Sequence, residues 1–177
     1  MPRERGKSEL CEVRDSEIHG RGVYATQDIP EATLIIEYVG ELIDKEESAR
    51  RCVKQCELAE KSGDGAVFIF SLDETRDIDG NFAWNTARLI NHSCDPNCQA
   101  WIEGERIFIY SRRPVAKGEE LTFDYGFDIS CYADHPCRCG KPGCVGYIVS
   151  LSQRDELRER LIVAADLWML EGETKTG

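Results

Sequence analysis

Three cysteines crowd into PCRCGKPGC, where Cys137, Cys139 and Cys144 fall within eight positions with Gly140, Pro142 and Gly143 among them. This stretch limits the fold more than any other. Glycine and proline at that density oppose both helix and strand, and the sulfurs suit a turn wrapped on a metal ion. Three thiolates make three quarters of a tetrahedral site, so a fourth ligand must come from elsewhere in the chain.

The chain has nine cysteines, an odd number at uneven spacing, which fits metal binding and buried thiols better than a disulfide framework. There is no apolar run near ~20 residues and no signal-peptide pattern in MPRERGKSEL, so an intracellular, reducing compartment and no membrane association are expected. A length of 177 residues suits one domain plus a short appendage that buries its own core, which leaves a metal the part of local organiser. With 22 basic against 33 acidic side chains, direct nucleic-acid binding through phosphates is not expected. A basic peptide suits this charge better.

Residues 1–10 are charged and aperiodic and read as a loose lead-in. CEVRDSEIHGRGVYAT reads as two strands around a glycine-bearing turn, followed by the β-branched stretch ATLIIEYVGELI. In DKEESARRCVKQCELAEKSG, Asp44 is a candidate N-cap with Glu47 three positions on, Ala49, Cys52, Val53, Cys56 and Ala59 share a face, and Gly63 is a stop. Cys52 and Cys56 could reach one metal, but two thiols facing a core is the plainer reading. AVFIFSLD reads as a strand, DIDGN as a turn, ERIFIYSRRPV as an alternating strand and EELTFDYGF as a short extended segment. SQRDELRERLIVAADLWML reads as a terminal helix with a stripe of Leu157, Leu161, Ala164, Ala165 and Trp168 and a flanking Glu156 to Arg160 pair.

Singly, the remaining motifs are ambiguous: HGRGVYA suits a hairpin turn, the histidine of RLINHSCDPNC a structural role, and ELTFDYGF an edge strand. Together with EYVGE and CRCGKPGCVGY, and in this order, they resemble SET-domain protein lysine methyltransferases with a post-SET zinc segment, over about Cys11 to Tyr147. The resemblance implies a mainly β, β-clip-like SET fold with few helices, in which the FDYG segment threads beside the NHS loop in a C-terminal pseudoknot. It divides the chain into a lead-in (1–10), a SET domain (11–130), a post-SET zinc segment (131–149) and a C-terminal helix and tail (150–177).

It also supplies the fourth ligand, Cys94 of NHSC, giving one structural zinc on Cys94, Cys137, Cys139 and Cys144. A closed thiolate set leaves no position for water. Cys98, Cys131 and His135 are nearby rivals that the family pattern does not assign to the metal. The cofactor implied is S-adenosylmethionine, contacted by His19, Arg21, Gly22, Asn91 and His92, with Phe68 where relatives often carry a tyrosine and Tyr147 where they carry a covering aromatic. Tyr125 falls at the catalytic tyrosine, Tyr38 at a wall of the lysine channel, and Phe123 at the position whose phenylalanine permits di- or trimethylation. The implied partner is a basic, lysine-containing protein, histone or histone-like.

Trp84 and Leu89 stand where relatives usually have Gly and Phe, which bears on loop shape. No cysteine-rich segment precedes the motifs, so the chain resembles stand-alone SET proteins, bacterial ones included, as well as it resembles a eukaryotic domain. The contrasting expectation is an idle SET module that only binds a peptide. Methylation of a non-protein amine fits a through-channel less well.

Overall fold

The computed structural model describes residues 4–62 and 68–173, with side chains at 59–62 and 165–173 left out. Gly63, the start of AVFIFSLD, and the side chains of Ala59, Ala165 and Trp168 therefore lie outside the described residues. No helix among the described residues is long and apolar enough to cross a membrane.

The strands are β1 (Cys11–Asp15), β2 (Arg21–Ala25), β3 (Leu34–Tyr38), β4 (Glu41–Asp44), β5 (Ile69–Ser71), β6 (Arg76–Asp79), β7 (Asn91–His92), β8 (Cys98–Glu103), β9 (Arg106–Ser111) and β10 (Glu120–Phe123). The helices are α1 (Lys45–Ser62) and α2 (Arg154–Glu173). They form three small sheets in the orders β1-β2-β10-β7, β3-β9-β8 and β4-β6-β5. This is the mainly β architecture with few helices expected from the sequence.

β1 and β2 pair from Cys11 opposite Ala25 to Asp15 opposite Arg21, so the intervening turn carries His19 and Gly20 of the HGRG motif while Arg21 and Gly22 begin β2. ATLIIEYVGELI is two strands rather than one. Gly40 separates them because a β-carbon there would lie 2.1 Å from the carbonyl oxygen of Asp79. The DID of DIDGN is strand, paired with β4 and β5, and Gly80 and Asn81 lie beyond the strand's end. β9 lies between β3 and β8, so Ile107, Phe108 and Ile109 are all buried where alternation was expected.

α1 begins as its sequence dictates, with Asp44 Oδ1 accepting from the Glu47 amide at 2.8 Å. Its apolar face is not a core face, however. Val53 is 61% exposed and Cys56 is exposed while Cys52 is half-buried, which corrects the expectation of an inward thiol at Cys56. The helix is fastened by charge instead: Arg51 pairs with Glu41, Glu47 and Asp79.

Compactness divides the chain differently from the linear segmentation above. One unit comprises residues 1–91 and 96–123, and the other residues 92–95 and 124–177. The first has a core of β-branched and leucine side chains, among them Val23, Ile35, Ile107, Ile109, Val115 and Leu121, each essentially inaccessible. Residues 4–10 in this unit are fastened, not loose: Arg5 grips the buried Glu37 at 2.7 Å, and the Gly6 carbonyl accepts from Thr86. The second unit has a small core of Ile129, Val149 and Leu157, against which Tyr132, Val145, Tyr147 and Leu161 pack. Leu157 and Leu161 of the α2 stripe thus face that core while Ala164 is exposed, and Glu156 pairs with Arg160 as expected.

Candidate functional site

In the first unit, Asn91 organises the glycine turn. Its amide nitrogen lies 3.3 Å from the His19 carbonyl, 3.2 Å from that of Arg21, 3.1 Å from Ser16 Oγ and 2.8 Å from Glu120 Oε1. All four are acceptors, so the NH2 end faces the turn and Oδ1 faces away from it. Glu120 is the second centre, accepting from Ser16 Oγ at 2.7 Å and Tyr24 at 3.0 Å. Burial, with this carboxylate beside it, raises the Tyr24 phenol above its usual value. Gly22 is buried against the same group: a β-carbon would come within 2.2 Å of Glu120 Oε1.

Sequence reasoning missed Glu120. A carboxylate heading an otherwise apolar strand, in register with Tyr24, was its only signal.

Tyr38 and Phe123, both buried, are brought together through Phe70, whose ring stands 5.4 Å from Tyr38 and 5.9 Å from Phe123. The Tyr38 hydroxyl donates to the Phe68 carbonyl at 2.6 Å. The Arg88 guanidinium lies over the Phe68 ring at 4.9 Å, with a buried Nε that has no partner among the described residues. Arg88 was also missed, hidden in sequence between Ala87 and Leu89.

In the second unit, four sulfurs converge. Cys94, Cys137, Cys139 and Cys144 offer ligand atoms all within 4.8 Å of one another. Cys94 Sγ is 3.9 Å from that of Cys137 and 3.7 Å from that of Cys144. Four sulfurs at Zn–S bond length from one ion stand about 3.8 Å apart, so the set fits a tetrahedral thiophilic ion. Burial pushes the Cys94 thiol up to about 11. Burial acts on Cys139 in the same direction and is the largest single influence, but the amides of Cys94 and Lys141 together with the Cys137 and Cys144 thiols bring that thiol down to about 7. Such a set is costly to ionise without a cation.

The rivals are otherwise engaged. Cys131 donates to the Asp128 carbonyl, Cys98 donates to Asn97 in the other unit, and the His135 ring packs on Phe127. All nine cysteines are free thiols.

His92 lies within this unit too, 3% exposed. Its Nδ1 is 3.2 Å from the Tyr125 amide, and the two rings meet edge-on at 5.4 Å. Burial holds the imidazole down at about 4, against the pull of Asp124, so it is neutral near pH 7. Tyr147 packs edge-on against Tyr132 at 4.9 Å. Arg154, the buried first residue of α2, donates to the carbonyls of Cys94 and Val149.

A family model described as SET domain matches residues 20–126. The chain belongs to the SET domain family. Relatives of this SET domain include the histone-lysine N-methyltransferase trr of Drosophila melanogaster, 44% identical over 134 residues that make up 73% of this chain and 5% of the relative. A histone-lysine N-methyltransferase, H3 lysine-4 specific, of Yarrowia lipolytica is 41% identical over 138 residues, 75% of this chain and 12% of the relative. One of Debaryomyces hansenii, H3 lysine-36 specific, is 35% identical over 147 residues, 81% of this chain and 20% of the relative. The SET domain described here thus spans a fifth or less of the length of each of these three relatives.

Proposed function

We propose that this chain is a protein-lysine N-methyltransferase that uses S-adenosylmethionine and acts on a basic, histone or histone-like segment. One observation carries the reading. Consecutive residues each hold a motif by its main chain, Asn91 taking the carbonyls of His19 and Arg21 and His92 the amide of Tyr125. The names of the relatives support a histone substrate, and two different target lysines among them leave the lysine to experiment.

When bound, S-adenosylmethionine supplies a methyl group on a sulfonium centre. In this reading His19, Arg21, Gly22, Asn91, His92, Phe68 and Tyr147 bind it. Gly22 permits close approach of the main chain, and Asn91, with its NH2 end committed, presents Oδ1 to a donor. Phe68 contributes packing without a hydroxyl.

Tyr38, Phe123 and Tyr125 line the passage for the lysine stem, and the Tyr125 phenol orients the amine, catalysis resting on alignment more than on acid or base strength. No residue of the chain is assigned as general base. Apolar walls and an adjacent positive charge lower the amine from its usual pKa of ~10.4, so water can take the proton. Phe123, lacking a hydroxyl, leaves room for a methylated amine to rotate, which favours the di- or trimethyl product.

Zinc on Cys94, Cys137, Cys139 and Cys144 would be structural, tying NHSC to the post-SET turn. A histone substrate implies an intracellular, reducing compartment. The net charge of −11 favours a basic protein partner over nucleic acid.

The test is transfer of labelled methyl from S-adenosylmethionine to core histones by the zinc-loaded protein. Transfer should rise with pH between 7 and about 9.5, fall roughly a hundredfold in Tyr125→Phe, and yield di- or trimethyl-lysine that Phe123→Tyr shifts toward monomethyl. Only monomethyl-lysine after exhaustive turnover would refute the product assignment. The absence of the Phe68 hydroxyl favours a second reading, an idle peptide-binding module, and calorimetric titration with S-adenosylmethionine separates the two. No binding by the loaded protein selects the idle module.

A further inference from the structure

The His92 ring has a hydrogen-bonding neighbour at each nitrogen. Nδ1 faces the Tyr125 backbone nitrogen, and an amide can only donate, so Nδ1 accepts and carries no hydrogen. Asp124 does not claim that position either. Its Oδ1 stands 3.7 Å from Nδ1, and its oxygens accept from the amides of Gly126 at 3.1 Å and Leu151 at 2.8 Å. A ring with a bare Nδ1 carries its hydrogen on Nε2, and Nε2 lies 3.7 Å from Cys94 Sγ. The tautomer is therefore fixed from one side and spent on the other.

We propose that His92 is a positioning residue with two separable halves: Nε2–H donates to the Cys94 thiolate of the metal set, while Nδ1 fixes the main chain at Tyr125. A donor on a ligating sulfur moderates its charge and orients it. The acceptor on the Tyr125 amide sets where the phenol is carried. Metal occupancy and tyrosine placement are thereby linked through one imidazole ring, and only the catalytic consequence of that link rests on the methyltransferase reading.

The two halves can be replaced one at a time. In His92→Asn the side-chain oxygen stands near the place of Nδ1, keeping an acceptor for Tyr125 and losing the donor to Cys94. In His92→Gln the amide NH2 reaches the place of Nε2, keeping the donor and losing the acceptor.

Cobalt(II) bound to the full chain reports the first half through its sulfur-to-metal charge-transfer band. Hydrogen exchange at the Tyr125 amide reports the second. In His92→Asn the band should move to longer wavelength, with Tyr125 protection retained. In His92→Gln the band should stay, with Tyr125 exchanging about tenfold faster. Full cobalt loading and an unchanged melting temperature establish that each variant is folded, and His92→Phe, which keeps a ring and neither contact, should change both signals. Both signals moving together in Asn and Gln, or neither moving in any variant, would overturn the proposal. A wild-type protein that behaves as described yet moves no methyl group onto core histones would refute the enzymatic reading alone.

Discussion

Each unit is stabilised internally by a different means. The first buries a row of Ile, Val and Leu side chains along three sheets, whereas the second has, among the described residues, a buried apolar cluster of Ile129, Val149 and Leu157 and four converging thiols. The difference teaches where each unit is vulnerable. Apolar burial is spread over many side chains, and losing any one costs a few kcal/mol. Thiolates around an ion act together, and losing the ion removes them all.

The largest effect should come from a strong chelator. Removing the metal is expected to expose the amides of 124–160 to hydrogen exchange while those of β2, β3 and β9 stay protected. Equal loss in both units would erase the contrast. Next is Leu157→Ala, which should destabilise the metal-loaded second unit by about 3 kcal/mol in chemical denaturation and change little further once the metal is stripped. Ile109→Ala, in the first unit, should cost a similar ~3 kcal/mol with or without metal.

The smallest concerns charge in the first unit. The Arg106 guanidinium, with Arg5 beside it and burial opposing both, holds the Glu37 carboxyl down at about 2. A depressed carboxyl contributes stability that is present above its unfolded pKa and lost as pH falls. The first unit should therefore weaken between about pH 4.5 and 2, by about 2 kcal/mol because both guanidiniums are solvent-screened. Glu37→Gln should flatten that decline, measured by denaturation at stepped pH.

What the sequence shows best is what is local. The Asp44 cap, the β1–β2 hairpin and the α2 pair Glu156 to Arg160 are settled by residues a few positions apart. β8 was not legible: as an edge strand it exposes Trp101 and Ile102, at 60% and 43%, and so lacks an inward apolar face to read. Cys56 misled for the converse reason, since its helical spacing from the half-buried Cys52 marks a shared face without saying that anything covers it. Within the site, the glycine turn, NHSC and FDYG were visible as motifs, and Cys94 joined the other thiols only through a family likeness. Glu120 and Arg88 stayed hidden because their partners, Asn91 apart from Glu120 by 29 positions and Phe68 apart from Arg88 across β6, are set by tertiary structure.

Cys94 and Cys144 are fifty positions apart, yet they belong to one ligand set. On a ribosome adding 5–20 residues per second, the earlier thiol emerges roughly 3 to 10 seconds before the later one. For that interval Cys94 is an unpaired nucleophile beside a nascent chain, open to oxidants and to stray copper. An ion held by this set would therefore be captured late in synthesis, only after Cys144 has emerged.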